Sequence, residues 1–374
     1  MMKMIKSRKE YYVLRRQGDM DRKIYCDYLR ILATASVVAL HVASLYWAIT
    51  DVNGTEWQMF NFYAAVNRWG VAVFLMISGA LFLNREISLK MIYGRYVLRM
   101  GAAYIVWSTF YALMKSRETL RNVILYGFKP YLPEIGTGHY HMWFLLMIMG
   151  IYICMPVYKK IAEDRKVMEY FLILSFIFAF LIPWTLQLLK DFVIAEGTAA
   201  AKAAEVIDLD VSTMSMHTVL GYSFYFILGY YLDSIRIERK KRILIYILGI
   251  AGFMFTIQAD RVLSLRMQKA CEAYYGNFTI NVLCEAVCIH TLVRYMKFSS
   301  SRLNSFAEKA SGYMFGVYLI HPFFNEKFSG VLGFDTLSMD IRISVPVVTC
   351  AVFASSLAVS FILNHVPYVK KYIV

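Results

Sequence analysis

Apolar runs of roughly 20 residues recur ten times along this chain, at 27–48, 64–83, 92–114, 141–158, 168–189, 217–232, 243–258, 276–294, 312–332 and 343–364. They leave little length for anything else. A bilayer core offers no water to a backbone amide, so an open chain crosses it only as a helix that satisfies its own hydrogen bonds. The pattern predicts an all-α integral membrane protein, a bundle of about ten transmembrane helices. Composition agrees, with 59% hydrophobic and 18% charged residues against about 25% charged in ordinary soluble domains. The runs at 217–232 and 243–258 are short for a hydrocarbon core of about 30 Å, which predicts tilting, thinning or extension through their tyrosine-rich flanks.

The net charge of +14 does not point to nucleic acid, because the basic residues fall in short clusters between apolar runs instead of on one face. They read as topology signals. Placing the N-terminus inside puts 28 of the 40 lysines and arginines in or beside cytosolic segments, whereas 49–63 holds none and 190–216 holds two against five acidic residues. The positive-inside rule therefore predicts both termini in the cytosol. The chain divides into a basic tail (1–24), one transmembrane domain (25–367) and a short C-terminus (368–374). The first apolar run lacks a small-residue cleavage site and is expected to stay as a signal anchor of a multi-pass cell-membrane protein. Trp57, Tyr63 and Trp69, and likewise Tyr140 and Trp143, are expected in aromatic belts at the membrane surfaces. The six cysteines lie mostly in apolar segments without CxxC spacing, so neither disulfides nor a metal site is expected. An alanine-rich stretch from Ala195 to Glu205 suits a surface helix.

Chemistry-bearing residues concentrate in the first run, where Asp27, Arg30 and His41 share one helix face. The eleven-residue step from Arg30 to His41 ends about 20° past three whole turns and about 16 Å along the axis. With Arg30 at the cytosolic boundary, His41 sits near mid-membrane, where an imidazole suits proton transfer. Packing and ordinary topology charge are the alternative for this stripe. At the cytosolic start of the third run, Lys90, Arg95 and Arg99 form a basic group able to grip phosphate oxygens. Asn281, Glu285 and Cys288 share a face of the eighth run, and Glu285 falls near mid-membrane, where an ionisable group is either functional or a paired structural element. His321, in Tyr-Leu-Ile-His-Pro, is either a second site member or a partner for the backbone left open by Pro322. Ser78 and Gly79 permit close helix approach. A Gly-rich phosphate loop, HExxH and GxSxG are all missing from the sequence, so soluble hydrolase chemistry is unsupported.

Several segments together resemble the membrane-bound acyltransferase family 3, which includes O-acetyltransferases of bacterial surface polysaccharides. The resemblance runs through Asp27-Tyr-Leu-Arg30 to His41, Trp69-Gly-Val-Ala-Val-Phe-Leu-Met-Ile-Ser-Gly-Ala-Leu, and Arg95 to Arg99 with the following Ala-Ala-Tyr-Ile-Val-Trp. It continues through His141-Met-Trp-Phe-Leu with Pro156, and Ser311-Gly-Tyr-Met-Phe-Gly-Val-Tyr-Leu-Ile-His321-Pro. It implies a catalytic His41, an Arg30 that supports either His41 or the donor, and third-helix arginines that bind the phosphates of acetyl-CoA or another acyl-CoA from the cytosol. The acceptor it implies is a glycan or lipid-linked sugar. One departure stands out, because the family often separates its two arginines by two residues, whereas here Tyr96 takes the first position and three residues separate Arg95 from Arg99. Many relatives carry a soluble extracytoplasmic domain; this chain has no room for one, which implies either direct access of the acceptor to the helices or a separate extracytoplasmic partner. A saccharide exporter or proton-coupled transporter, with His41, Glu285 and His321 as a proton or substrate path, is the competing reading.

Overall fold

The computed structural model describes residues 22–374 other than 116, 196 and 215, so most of the basic tail lies outside the described residues. Its regular structure is helical. The main elements are α1 (Ile24–Trp47), α2 (Thr55–Ala65), α3 (Gly70–Phe82), α4 (Leu98–Met114), α5 (Trp143–Ile153), α6 (Met155–Glu163), α7 (Arg165–Ser175) and α8 (Ile182–Phe192). They continue with α9 (Ala199–Thr213), α10 (Met216–Ser234), α11 (Arg239–Met267), α12 (Ile280–Arg294), α13 (Ser301–Ser311), α14 (Met314–Leu332) and α15 (Ile341–Leu363).

Six stretches among the described residues are long and apolar enough to cross a membrane: Ile24–Trp47, Thr55–Phe82, Leu89–Met114, Arg165–Phe192, Arg239–Met267 and Ile341–Leu363. The pair α5 and α6, bent by 55°, makes a seventh if it is one broken span. Helices also stand at the remaining three predicted places, but α10 and α14, with 19 residues each, are not apolar enough, and α12 is too short. The 15 residues of α12 reach only about 22 Å. The fold is thus a multi-pass helical membrane protein with six or seven apolar spans.

Where helix boundaries differ from expectation, the chain supplies the reason. The second span starts at Thr55 instead of 64 and is interrupted at 66–69. The 141–158 run breaks at Cys154, because Pro156 has no N–H to continue a helix and suits the first turn of the next. A π-helical turn at Phe176–Leu181 precedes Pro183 and keeps the Arg165–Phe192 stretch continuous. The run at 243–258 belongs to the 29-residue α11. The alanine-rich stretch does begin a helix, α9, capped by Thr198, whose hydroxyl accepts from the Ala201 amide. Trp57 and Trp69 are buried instead of lying in an aromatic belt, and Trp57 packs on Trp47 with ring centres 6.1 Å apart; Tyr140 and Trp143 remain exposed.

Packing is closest where glycines let backbones meet. A Cβ on Gly79 of α3 would lie 1.6 Å from the Phe226 carbonyl of α10, and one on Gly229 of α10 would lie 2.0 Å from the Met76 carbonyl of α3. Any side chain at either position forces these helices apart. Around α1 gather α2, α3, α13, α14 and α15, which makes the stripe-bearing first helix the centre of the bundle.

Candidate active site

His41 of α1 meets His321 of α14. Their rings lie side by side in nearly one plane, with centres 5.0 Å apart and planes within 5°, and His41 Nδ1 lies 2.7 Å from His321 Nε2. The other nitrogen of His321, Nδ1, lies 2.7 Å from the Tyr318 carbonyl oxygen. That carbonyl is free for a reason written in the sequence. In an α-helix the Tyr318 oxygen would accept from the amide of residue 322, and Pro322 has none.

These contacts fix the protons. A carbonyl only accepts, so His321 carries its proton on Nδ1 and presents Nε2 as an acceptor. His41 must then donate from Nδ1. Its Nε2 is left as a basic lone pair, with no hydrogen-bond partner among the described residues, on a half-buried ring. The Asn325 amide donates to the His41 carbonyl, 3.2 Å, and Tyr140 packs edge-on against the ring, centres 5.2 Å apart. A base oriented by a second group, itself oriented by a third, is the arrangement general-base and nucleophilic catalysis both need.

A second histidine pair adjoins the first. His139 and His141 face each other through Nδ1 atoms 3.0 Å apart, His139 Nε2 lies 3.0 Å from Glu326, and His141 packs edge-on to His321. Gly138 turns the chain into this pair with φ of +70°, where a Cβ would meet the Tyr104 hydroxyl at 2.9 Å. Sequence reasoning did not single out His139 or Glu326. The signal was the His-x-His run ahead of an apolar helix, and a glutamate five residues beyond His321.

Toward the other end of α1 a cavity of about 370 Å³ opens between α1, α3, α4, α5 and α14. Arg30, Tyr96, Arg99 and Ser311 line it, and Phe144 and Tyr318 are also in its wall. Tyr318 belongs to both places. It lines the cavity, its carbonyl orients His321, and its hydroxyl donates to the His141 carbonyl. Arg99 also donates to the backbone oxygen of Val374, and its guanidinium stands 5.2 Å from the Phe315 ring centre.

The remaining sequence candidates lie elsewhere. Asp27 is buried in a double contact with Arg22, at 2.7 and 2.9 Å, accepts from Ser311 at 2.6 Å and stands 3.7 Å from Arg30. It joins α1 to the α13–α14 corner beside the cavity. Arg95 and Lys90 are exposed and do not line the cavity, whereas Tyr96, in the position where the family often has arginine, does. Glu285 is fully buried between α11 and α12, where Thr256 donates to its Oε1 at 2.5 Å and Asn281 donates to Thr256 at 2.8 Å. No hydrogen bond joins Glu285 to His41 or His321 among the described residues. Cys288, on the same face, packs against Gly249.

A protein-family model described as an acyltransferase domain matches residues 23–365, which takes in every residue of both histidine pairs and of the cavity. No curated protein and no solved structure matches the chain. The chain belongs to this acyltransferase family and is an acyltransferase with several membrane-crossing helices.

Proposed function

We propose that this acyltransferase moves an acyl group, acetyl in the first instance, from cytosolic acyl-CoA to a hydroxyl of an extracytoplasmic or lipid-linked glycan. The observation that carries the reading is the chain of contacts from the Tyr318 carbonyl through His321 to His41, which leaves His41 Nε2 as a free base beyond the wall of an arginine-bearing cavity. Arg30 and Arg99 hold the phosphates of the donor, and the thin thioester arm runs along the aromatic wall toward Tyr318. His41 Nε2 takes the hydroxyl proton as the acceptor oxygen adds to the thioester carbonyl. The C–S bond then breaks, and the proton passes from Nε2 to the departing thiolate. Throughout, His41 Nδ1–H stays on His321, so the imidazolium formed at mid-reaction keeps its partner.

The orientation belongs to the same reading, with ten membrane-crossing segments, both termini in the cytosol and residence in the cell membrane. Cysteine-directed labelling of intact cells tests it, since reagents outside reach cysteines placed at positions 55 and 205 but not at 88 and 238. The reaction is tested with purified protein, labelled acetyl-CoA and a panel of membrane-associated glycans. Label on a glycan hydroxyl supports the transfer; label recovered only as unreacted donor, with every glycan, contradicts it.

A further inference from the structure

Beside His41 the chain sets an exposed aromatic ring next to a half-exposed carboxylate. Gly138, with φ of +70°, turns the chain into His139-Tyr140-His141. The two histidines pair with each other through Nδ1 atoms 3.0 Å apart, and Tyr140 between them is left 52% exposed. The Tyr140 ring packs against His41, centres 5.2 Å apart, and against His139, centres 4.5 Å apart. His139 Nε2 in turn lies 3.0 Å from Oε1 of Glu326, a side chain 44% exposed. Tyr111 holds the row to α14, since its ring stacks on His139 with centres 4.2 Å apart and its hydroxyl donates to the Leu319 carbonyl at 2.8 Å. Direct contacts thus run from His41 through Tyr140 and His139 to Glu326. Apart from the imidazole facing Glu326, neither that carboxylate nor the Tyr140 hydroxyl has a hydrogen-bond partner among the described residues.

A tyrosine in a membrane-surface belt accounts for the exposed ring but not for a carboxylate held beside it. The pairing has the chemistry of a polyhydroxyl site. The electron-rich face of an aromatic ring attracts the C–H face of a pyranose, and a carboxylate, which only accepts, takes hydrogen bonds from sugar hydroxyls and fixes their orientation. The same carboxylate repels a second anion. None of the four residues in the row lines the arginine-bearing cavity, so a sugar held here leaves the donor site free. Resting on the proposed transfer, we infer that Tyr140 and Glu326 form the acceptor subsite, and that it takes a neutral hexose in preference to a hexuronate. The pyranose lies on Tyr140, hydroxyls at one end donate to Glu326, and a hydroxyl at the other end is presented to His41 Nε2. Tyr140 and Glu326 bind and orient; neither exchanges a proton with the acceptor.

The test is steady-state transfer from labelled acetyl-CoA to dodecyl glycosides of glucose, galactose and mannose and to the matching uronides. Wild type, Tyr140→Ala, Tyr140→Phe and Glu326→Gln are compared, each checked for a monodisperse folded fraction. Wild type favours at least one hexoside over its uronide by about tenfold or more in kcat/KM. Tyr140→Ala raises the KM for that hexoside about tenfold with the donor KM unchanged, whereas Tyr140→Phe, which keeps the ring, stays within about threefold of wild type. Glu326→Gln raises the hexoside KM roughly fivefold and narrows the preference over the uronide by about as much; it decides the matter alone if Tyr140→Ala fails to fold. Wild-type acceptor KM in the folded variants, an equal rise in the donor KM, or uronides labelled as well as hexosides overturns the inference. So does label on other membrane-associated glycans with none on the hexosides. Wild-type protein that labels no glycan at all overturns the proposed transfer and the subsite together.

Discussion

His41 and Glu285 are both ionisable groups deep in the bundle, and the protein treats them in opposite ways. Around Glu285 the neighbours close in: Thr256 donates to one carboxylate oxygen, Asn281 donates in turn to Thr256, and α11 and α12 pack so tightly that a Cβ on Gly252 would lie 2.7 Å from the Asn281 carbonyl. Around His41 one nitrogen is held and the other left open. The contrast is between a polar group enclosed between two helices and one left accessible on a central helix. Each keeps one atom without a hydrogen-bond partner among the described residues, and exposure separates them, since Glu285 is fully buried and the His41 ring is half-buried.

The largest effect that sharpens this contrast is at His41 itself. His41→Ala is expected to lower kcat by about 10²–10⁴-fold while the protein inserts and elutes as wild type, since α1 stays apolar. His321→Ala, which removes the orienting partner, is expected to cost about 10–100-fold, read in the same assay. Arg30→Ala with Arg99→Ala acts on binding instead. Losing charge-assisted contacts of about 1.5–3 kcal/mol each raises the donor KM at least tenfold, with a smaller change for the acceptor, whereas Arg95→Ala leaves the donor KM unchanged. Next comes Pro322→Ala, which gives residue 322 an N–H that competes with His321 for the Tyr318 carbonyl; about 1 kcal/mol of lost orientation lowers kcat roughly fivefold. Smallest is Glu285→Gln. It keeps the Thr256 contact, leaves transfer close to wild type and lowers stability by no more than about 0.5–1.5 kcal/mol, while Glu285→Leu lowers the melting temperature without shifting KM. A Glu285→Gln protein that folds but fails to transfer would erase the contrast.

Much of this was readable in the chain. The face shared by Arg30 and His41 follows from helix geometry, and the structure puts Arg30 in the cavity wall and His41 with His321. His321 does bond the backbone freed by Pro322, and the same bond turns its Nε2 toward His41. Periodicity found the helices but not their interruptions. The break at 66–69 has no proline to announce it; it is held by side chains, Ser36, Asn67 and Trp69, whose role exists only once α1 packs against it. Arg95 and Arg99 are alike in sequence and differ in what the fold sets in front of them.

The central claim is that donor and acceptor reach one histidine from opposite faces, and sided transfer tests it most directly. Vesicles reconstituted with the protein enclose a glycan acceptor, and labelled acetyl-CoA is added outside. For molecules with the Arg30 and Arg99 face outward, the account predicts label on the enclosed glycan, with none in vesicles carrying His41→Ala. Label appearing only when donor and glycan share a compartment, or appearing undiminished with His41→Ala, would contradict it.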